Sequence, residues 1–440
     1  MTLPPMVNAF DPATALLSPE DRARVERRAR VLGPAYRLFY QTPVHFVRGE
    51  GVWLYDAQGN AYLDTYNNVA SVGHCHGRVV AAMAKQAATY ASHTRYLHDG
   101  ILEYAERLLA HFPPELSKVM FTCTGSEAND LAFRIACSET GGTGFIVTEN
   151  AYHGVTHVIA GLSPSLGAGV PLGEHVRTIP APDPRRLVSD RAPDLGMAFA
   201  ARVQAAIDDL QRHGIRPAAL IVDTIFSSDG VFADPPGFLA PAAAAIRAAG
   251  GLFIADEVQP GFGRTGQHMW GFQRHGLTPD LVTLGKPMGN GYPVAGLVAR
   301  ADLLERFGQK ARYFNTFGGN AVAAATALAV LDVIEGEGLM QNAARIGRAF
   351  HDGLADLSRR HAALGQVRSA GLFLGLDILR DGQPDAELAA RIVNGLRDRR
   401  VLISATGPLG HVLKIRPPLP FSSENLDFFL TRLDATLAAL

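Results

Sequence analysis

Residues 251–266 read "GLFIADEVQPGFGRTG", and residues 280–293 read "DLVTLGKPMGNGYP". Each stretch begins with a short apolar run and continues into a loop rich in glycine and proline, which is typical of a buried strand followed by a turn. Asp256 and Glu257 end the first run, and Lys286 ends the second. Because a charge at such a place is costly without a partner, both strand ends are candidate site positions.

Similar runs recur between residues 118 and 299, separated by alanine-rich segments of helical character. Strands that are apolar on both faces and alternate with helices predict an α/β fold whose sheet is mostly parallel and covered on both sides. The stretch 161–197, rich in Gly, Pro, Ser and Asp, is expected to be a long surface loop or a subunit contact. The predicted strands are "KVMFTC" (118–123), "GFIVTE" (144–149), "AALIVD" (218–223), "GLFIADE" (251–257), "DLVTLGK" (280–286) and "VAGLVA" (294–299).

The flanking regions predict a second, smaller unit. Residues 18–40 begin with Ser-Pro-Glu-Asp and carry many arginines, which indicates a solvated helix. Residues 44–65 alternate and turn at glycines, as an antiparallel meander does. Helix and strand patterns mix again toward the C-terminus. We therefore expect an N-terminal helix and meander (1–60) that belong to the small domain, a large domain (61–325) and a small α+β domain (326–440).

Composition disfavours several classes of protein. Of the 440 residues, 47% are hydrophobic and 19% are charged, which indicates a packed core rather than disorder. The formal net charge of −1 gives no basic excess for nucleic acid or an anionic membrane. No apolar run approaches the roughly 20 residues of a membrane helix, and no secretory signal pattern opens the sequence. Three cysteines without metal-ligand spacing favour reduced thiols, so we expect a cytoplasmic protein without a metal.

The segment "FTCTGSEAND" (121–130) is a candidate anion site. Its strand ends before Gly125, which permits a tight turn, and Ser126 and Glu127 then open a helix. Free N–H groups at a helix start bind an anion such as phosphate. An ordinary serine N-cap followed by an acidic first turn is the alternative.

Asp256 and Lys286 suit a heterocyclic cofactor. A carboxylate at the end of a buried strand would keep a ring nitrogen protonated through its charge, and a salt bridge to Arg264 is the alternative. A desolvated lysine loses its proton readily and can form a Schiff base with a carbonyl, and a snorkelling surface lysine is the alternative.

In "ENAYHGVT" (149–156), Tyr152 and His153 follow another strand, where an aromatic ring could stack on a planar ligand. A loop aromatic packed on the core is the alternative. Taken together, a phosphate-binding turn, an acid for a ring nitrogen, an aromatic ring and a desolvated lysine are what pyridoxal 5'-phosphate (PLP) requires of a protein.

At this point the sequence resembles the class III (omega-) aminotransferases, which belong to fold type I of the PLP-dependent enzymes. The resemblance covers nearly the whole chain and is most specific where Asp256 and Lys286 stand 30 positions apart. It implies a large domain with a mostly parallel sheet of the seven-stranded type and a smaller α+β domain. Other matching motifs are "GHCH" (73–76), "TGSEAN" (124–129), "AYHG" (151–154) and "NTFGGN" (315–320).

The resemblance also implies a role for each matching residue. Lys286 is expected to bind the cofactor covalently and to move the proton, and Asp256 to pair with the pyridine nitrogen. Thr316 is expected to reach the phosphate of the neighbouring subunit's cofactor, which requires a homodimer and allows a tetramer. The other implied cofactor contacts are Gly125 and Ser126 at the phosphate, Val258 and Tyr152 on the two ring faces, His153 beside Tyr152, and Gln259 near the ring hydroxyl.

Two reactions fit the resemblance. Arg416 in "KIRPPL" matches an arginine that forks onto a substrate carboxylate, which predicts transfer of an amino group from a primary or omega-amine or an amino acid to a keto acid such as pyruvate. Stretches such as "RYLHDGILEYAERL" (95–108) resemble ethanolamine-phosphate phospho-lyases, which eliminate phosphate and ammonia from a phosphorylated amine. That reaction needs a basic pocket, for which the candidates are Arg416, Lys414, Arg95 and Arg37.

Substrate recognition departs from the family pattern. Asn68 and Ser228 join Arg416 as predicted substrate contacts. Enzymes of the 4-aminobutyrate type carry a glutamate at the position of Ser228, where it pairs with the arginine when no carboxylate is bound. Many family members also carry Glu-Pro where this chain has Asp223 and Thr224. A non-catalytic, cofactor-bearing regulator is a third hypothesis, which the intact lysine and aspartate of the cofactor site disfavour.

Overall fold

The computed structural model describes residues 6, 8–13, 15, 17–67, 69–189 and 193–440. Its strands are β1 (Phe46–Glu50), β2 (Trp53–Asp56), β3 (Ala61–Asp64), β4 (Lys118–Thr122), β5 (Gly144–Thr148), β6 (Val176–Ile179), β7 (Pro217–Asp223), β8 (Leu252–Asp256), β9 (Leu281–Leu284), β10 (Ala295–Ala299), β11 (Leu364–Ala370), β12 (Phe373–Arg380), β13 (Gln383–Pro384), β14 (Val401–Leu402), β15 (Ser404–Thr406) and β16 (Val412–Ile415). Its α-helices are α1 (Pro19–Val31), α2 (Gly77–Thr89), α3 (Asp99–Leu109), α4 (Gly125–Thr140), α5 (His157–Ala160), α6 (Pro184–Leu187), α7 (Leu195–Arg212), α8 (Ala240–Ala248), α9 (Ala301–Lys310), α10 (Ala321–Gly336), α11 (Leu339–Arg360), α12 (Ala386–Asp398) and α13 (Ser423–Leu437).

A seven-stranded sheet organises the fold, with the strand order β4-β10-β9-β8-β7-β5-β6. β10 runs antiparallel to its neighbours β4 and β9, whereas the remaining adjacent strands pair in parallel. The six predicted strands all lie in this sheet, which confirms the mostly parallel α/β architecture. The carboxyl ends of the parallel strands meet at one edge, where open sheets of this kind bind ligands.

The central sheet is buried on both faces, as its apolar runs predict. Along β7, Leu220 and Val222 contact the hydrophobic cluster that includes residues of α7 and α8. Ala219 and Ile221 contact the opposite cluster, which includes residues of α4 and α9. Because side chains alternate across a strand, a run without polar interruption marks a strand covered on both sides.

The prediction of a long loop over 161–197 is wrong. This stretch contains β6, which pairs in parallel with β5 and forms an edge of the central sheet. It also contains α6 and the first residues of α7. Of the four β6 residues, Val176 and Ile179 are buried and the two between them are not. Four residues give too little alternation to mark a strand, so the hydrogen bonds to β5 define it.

The N-terminal meander joins the C-terminal part of the chain. β1, β2 and β3 pair antiparallel as predicted, and β3 also pairs in parallel with β14 through Leu63 and Val401. A further sheet has the order β11-β12-β16-β15, with β13 beside β12. Where β16 ends, the N–H of Arg416 donates to the carbonyl of Thr65 at 2.8 Å, which brings the two regions together. The expected boundary at residue 325 falls inside α10, and the division into domains stays a prediction.

Within the described ranges, no helix is both long and apolar enough to cross a membrane. The same residues contain no group of three or more His, Cys, Asp or Glu side chains that could hold a metal ion. Cys75, Cys123 and Cys137 form no disulfide.

The contact between α11 and the turn that joins β11 to β12 predicts a packing-sensitive glycine. A Cβ at Gly347 would lie 2.2 Å from the carbonyl oxygen of Gly371, whose φ of +55° fixes the turn. Gly347→Ala should lower the free energy of unfolding by about 1–3 kcal/mol, because overpacking outweighs the gain of about 1 kcal/mol in helix propensity. Urea unfolding followed by circular dichroism measures the difference.

The matched control is Gly308→Ala in α9, where an added Cβ meets nothing within 4 Å. It should leave stability unchanged or raise it by about 0.5–1 kcal/mol. Equal midpoints for Gly347→Ala and the unsubstituted protein would contradict this account of the contact.

Candidate active site

The candidate active-site cavity lies at the carboxyl edge of the central sheet. Its walls are the turn between β4 and α4, the segment that follows β5, the ends of β7 and β8, and the turn after β9. Its empty volume, including the open mouth, is about 460 Å³. The lining residues are Gly125, Ser126, Tyr152, His153, Gly154, Asp223, Asp256, Val258, Gln259 and Lys286.

The structure therefore brings eight of the nine predicted cofactor residues to one cavity. These eight come from four separate stretches of sequence that all leave the same sheet edge. The ninth, Thr316, is exposed and lies outside the lining of this cavity.

Asp256 is the last residue of β8 and is only 4% exposed. Its Oδ2 accepts hydrogen bonds from Nδ1 of His153 at 2.7 Å and Nδ2 of Asn129 at 3.0 Å, and its Oδ1 accepts from the N–H of Val258 at 3.1 Å. Asn129 is fixed in turn, because its Oδ1 accepts from the Thr283 hydroxyl at 2.7 Å. The carboxylate is therefore held in one orientation by three segments of the chain.

Glu257, the neighbouring acid, belongs to the scaffold rather than to the cavity. Its carboxylate accepts hydrogen bonds from the Thr224 hydroxyl at 2.8 Å and from the N–H groups of Gly271 and Phe272 at 2.7 and 2.8 Å. Burial raises the pKa of Glu257 to about 7. Arg264 pairs with neither acid, because its guanidinium donates to backbone carbonyls. The alternative of a salt bridge from these acids to Arg264 is therefore wrong.

Lys286 opens the short turn after β9 and lines the cavity, so it is not a snorkelling surface lysine. Burial, aided by the positive charge of Arg416, lowers the pKa of Lys286 to about 8, although Asp256 and Asp223 act in the opposite direction. Its Nζ lies 6.0 Å from the centroid of the Tyr152 ring. A larger fraction of this amine is neutral near pH 8 than for an ordinary lysine, as a nucleophile requires.

The start of α4 forms a cup rimmed by small residues. Thr124 is the N-cap, and its side chain forms a capping box with Glu127, so Ser126 is not the cap. The Ser126 hydroxyl instead accepts from the N–H of Val155 at 3.1 Å. Gly154 has a φ of +143°, and a Cβ there would lie 2.5 Å from the Ser126 hydroxyl. The helix start and the small residues leave N–H groups and space available for an anion.

Val258 packs beside the cup. A Cβ added at Gly125 would lie 3.0 Å from a Val258 methyl group, and one added at Gly285 would lie 3.2 Å from the other. Tyr152, also on the cavity wall, remains 37% exposed. A flat ring bound in this cavity could contact the aliphatic side chain of Val258 and the aromatic side chain of Tyr152.

Arg416 stands beside this cavity and is only 7% exposed. Its Nη1 donates to the side-chain oxygen of Gln259, and its Nε donates to the carbonyl of Tyr66 at 2.6 Å. Its guanidinium carbon also lies 4.5 Å from the centroid of the Tyr66 ring. Arg416, a predicted substrate contact, is therefore hydrogen-bonded directly to Gln259, a predicted cofactor contact.

Ser228, another predicted substrate residue, is not brought to the cavity. Ser228 is absent from the lining, and its carbonyl accepts hydrogen bonds from the side chains of Asn150 and Thr406. Asn68 lies outside the described residues. Arg37 and Arg95, candidates for a basic pocket, are exposed.

Sequence reasoning missed the structural importance of Asn129 and Asp223. Asn129 was visible as the last letter of "TGSEAN", one helical turn after the glycine. Asp223 was noted only as a departure from the family pattern, yet it lines the cavity. It lies directly opposite Asp256 in the register of the neighbouring strands β7 and β8. Burial, with a contribution from Asp256, raises the pKa of Asp223. The signal for Asp223 was an acid at the end of a buried strand, the same signal that pointed to Asp256.

The residues present fit PLP. A phosphate group matches the cup at the start of α4, where a Cβ at Gly154 would intrude. The oriented carboxylate of Asp256 could accept a hydrogen bond from a protonated pyridine nitrogen, and the amine of Lys286 could react with an aldehyde. PLP, when bound, withdraws the electron pair left on the substrate carbon that carries the amino group.

Comparison with known proteins agrees with this assignment. The family model described as "Aminotransferase class-III" matches residues 38–437. A protein of Drosophila melanogaster named alanine–glyoxylate aminotransferase 2-like is 38% identical, with 94% of this chain and 87% of that protein covered. Ethanolamine-phosphate phospho-lyase homolog 1 of Caenorhabditis elegans is 36% identical, with 94% and 93% covered. The crystal structure of an Arthrobacter phospholyase in complex with phosphoethanolamine is 44% identical with a TM-score of 0.92, and covers 95% of this chain and 100% of that one.

The chain therefore belongs to the class III aminotransferase family. It is a PLP-dependent enzyme with the fold type I architecture.

The environment of Lys286 predicts how PLP binding depends on pH. The neutral amine attacks the aldehyde, so the rate at which apoprotein binds PLP should rise with pH and reach half its maximum near pH 8. Arg416→Gln removes a positive charge that lowers this pKa, so the midpoint should move to higher pH. Stopped-flow absorbance of the bound cofactor measures the rate.

Arg359→Gln, which changes an exposed arginine on α11, should leave the midpoint unchanged. A midpoint near the ordinary lysine value of 10.5 would show that Lys286 is not desolvated as described.

Proposed function

We propose that this enzyme eliminates phosphate and ammonia from a small phosphorylated amine such as O-phosphoethanolamine. The observation that carries the proposal is a pair of buried cations, Lys414 and Arg416, beside the cavity that holds Lys286. The likeness to the Arthrobacter phospholyase, whose structure contains phosphoethanolamine, supports it. Amino transfer, which the sequence favoured, is the second candidate.

The two cations project from one face of the chain. Lys414 lies in β16 and Arg416 directly follows the strand, and side chains two positions apart point the same way. Nζ of Lys414 lies 5.6 Å, and the guanidinium carbon of Arg416 6.0 Å, from the centroid of the Phe373 ring. Each residue is only 7% exposed.

This pair carries more positive charge than its surroundings neutralise. The charges of Asp223 and Asp229 favour the protonated form of Lys414, but they offset the effects of burial and of Arg416 only in part. Burial and the charge of Arg416 hold the pKa of Lys414 well below its usual range, with the carboxylate of Asp223 opposing. One guanidinium suffices to recognise a substrate carboxylate, whereas two cations suit the charge of a phosphate monoester.

The residues of the chain divide the elimination between them. Lys286 takes a proton from the carbon that carries the amino group, and Asp256 keeps the pyridine nitrogen of the cofactor protonated. Lys414 and Arg416 bind the phosphate oxygens and stabilise their charge as the carbon–oxygen bond breaks and phosphate leaves with the bonding pair. With one water consumed, O-phosphoethanolamine gives acetaldehyde, ammonia and phosphate.

Amino transfer remains the second candidate because Arg416 is oriented for a carboxylate. Gln259 and the carbonyl of Tyr66 hold two edges of its guanidinium, and a substrate carboxylate would take the rest. In that reaction Lys286 would take the proton from the substrate carbon and hold it on Nζ, bound PLP would supply the electron sink, and a keto acid such as pyruvate would accept the amino group. The similarity to proteins named alanine–glyoxylate aminotransferase supports this candidate.

A phosphate assay separates the two reactions. The PLP-loaded enzyme should release phosphate from O-phosphoethanolamine without any keto acid. Lys414→Met, which keeps the side-chain length and removes the charge, should raise KM for this substrate about tenfold or more, because a hydrogen bond to a charged group contributes about 1.5–3 kcal/mol. Its cofactor absorbance should stay that of the unsubstituted enzyme.

Lys85→Met on the exposed face of α2 is the matched control and should leave KM unchanged. Amine transfer to pyruvate with no phosphate release would overturn the elimination proposal in favour of amino transfer.

We also propose that the active unit is a homodimer in which Thr316 reaches the cofactor of the neighbouring subunit. Thr316 is exposed and stands between two exposed aromatic residues, Phe314 and Phe317. Phe314 lines an apolar depression together with Tyr96 and Leu97, and Leu97 is 98% exposed. An exposed apolar patch of this kind favours a protein contact, and the exposed Thr316 next to it supports a second copy of this chain as the partner. The possible tetramer and the cytoplasmic location stay predictions from the sequence.

A charge placed on this patch tests the dimer. Leu97→Asp should shift the enzyme from dimer to monomer in sedimentation velocity, because a carboxylate would have to be buried at the contact. PLP affinity should fall with it, since the partner's contribution to the phosphate is lost.

Met197→Asp changes an equally apolar, exposed residue at the start of α7 and should keep the dimer. A Leu97→Asp protein that stays dimeric would place the interface elsewhere.

A further inference from the structure

Asn290 ties the turn that carries Lys286 to a distant part of the chain. The turn spans Lys286–Gly289, and Asn290 follows it in a left-handed conformation, with φ +48° and ψ +39°. The N–H of Val72 donates to Oδ1 of Asn290 at 3.0 Å, and Nδ2 of Asn290 donates to the carbonyl of Gly73 at 2.8 Å. Asn290 is absent from the cavity lining, so these bonds serve the position of the turn rather than contact with a ligand.

The region that Asn290 contacts also holds Arg416. We call residues 64–67 and 69–74 the linking segment. The N–H of Arg416 donates to the carbonyl of Thr65 at 2.8 Å, and its Nε donates to the carbonyl of Tyr66 at 2.6 Å. The guanidinium carbon also lies 4.5 Å from the centroid of the Tyr66 ring. The linking segment therefore contacts Arg416 near its beginning and Asn290 near its end.

A hydrogen bond between Asp64 and His74 joins the two ends of the linking segment. Nε2 of His74 lies 2.7 Å from Oδ2 of Asp64, whose side chain is buried. Oδ1 of Asp64 accepts hydrogen bonds from the N–H groups of Tyr66 and Asn67 at 3.0 and 2.9 Å. Because a fully bonded buried carboxylate holds its partners in one arrangement, the distance across the segment is fixed.

We propose that Asn290 is a positioning residue, which sets the separation between the amine of Lys286 and the guanidinium of Arg416 through the linking segment. Lys286 takes the proton from the substrate carbon, and Arg416 binds the anionic group of the substrate. A substrate that meets both must match their separation, so the linking segment fixes the distance from the reacting carbon to the anion. The inference holds for both candidate reactions, because each places an anion on Arg416.

The charges around Lys286 make a change in this separation observable. Burial lowers the pKa of Lys286, and the positive charge of Arg416 lowers it further. The carboxylates of Asp256, at the end of β8, and Asp223, at the end of β7, raise it. Lys414 on β16 is close enough for the charge of Lys286 to lower its pKa. Because the interaction of two charges weakens with distance, a wider separation from Arg416 raises the pKa of Lys286.

The substitution Asn290→Gly tests the proposal. It removes both side-chain bonds without straining the turn, because glycine readily adopts the left-handed conformation. The pH midpoint of the rate at which the full-length apoprotein binds PLP should rise by about 0.3 or more, the effect of widening the separation of two partly buried charges by roughly 1 Å. Stopped-flow absorbance measures the rate. In the Arg416→Gln background, Asn290→Gly should shift the midpoint less than half as far, because the charge through which it acts is gone.

Asp381→Gly is the matched control. Asp381 is exposed in the turn between β12 and β13 and has the same left-handed backbone, with φ +52°, so its replacement should leave the midpoint unchanged. Circular dichroism checks that each variant is folded over the pH range of the measurement. An unchanged midpoint in Asn290→Gly would overturn the proposal. A shift at least half as large in the Arg416→Gln background would also overturn it, because the substitution would then act by exposing Lys286 to water and not through Arg416.

Discussion

The hydrogen bonds to the Asp256 carboxylate are the constraint on which the site depends. A carboxylate that is 4% exposed at a strand end would be very unfavourable alone, and here His153, Asn129 and the N–H of Val258 hold it. These donors come from the segment after β5, from α4 and from the residues just beyond β8. Thr283, on β9, fixes Asn129 in turn. The same bonds that make the acid tolerable also tie four elements of the sheet edge into one rigid frame.

Around this frame the chain places more buried positive charge than an apolar interior tolerates without an anion. Lys286, Lys414 and Arg416 lie near one another, and the neighbouring carboxylates, Asp223 among them, oppose the lowering of the two lysine pKa values only in part. Burial, aided by the charge of Arg416, lowers the pKa of both lysines, which produces the reactive amine that the chemistry requires. A bound phosphate group or carboxylate would relieve the same repulsion, so substrate binding and the tuning of Lys286 share one electrostatic origin.

The central strands could be predicted because each is long enough, and apolar enough on both faces, to stand out from its flanks. β6 could not be predicted, because its four residues, of which the middle two are not buried, have a pattern that also occurs in loops. Only their hydrogen bonds to β5 make them a strand. The two adjacent acids show the same limit. The sequence could place Asp256 and Glu257 together at a strand end. Their hydrogen-bond partners, Gly271, Phe272 and Asn129, lie 14 to 127 residues away and decide which acid faces the cavity.

By itself, the sequence determined the parallel sheet, the cofactor and eight of the residues around it, because strand periodicity and short motifs at strand ends are local properties. Only the tertiary structure decided that Arg416 donates a hydrogen bond to Gln259 and that Ser228 lies outside the cavity lining. These features depend on contacts between segments 78 to 157 residues apart, and no local pattern of side chains encodes which distant segment will supply the partner.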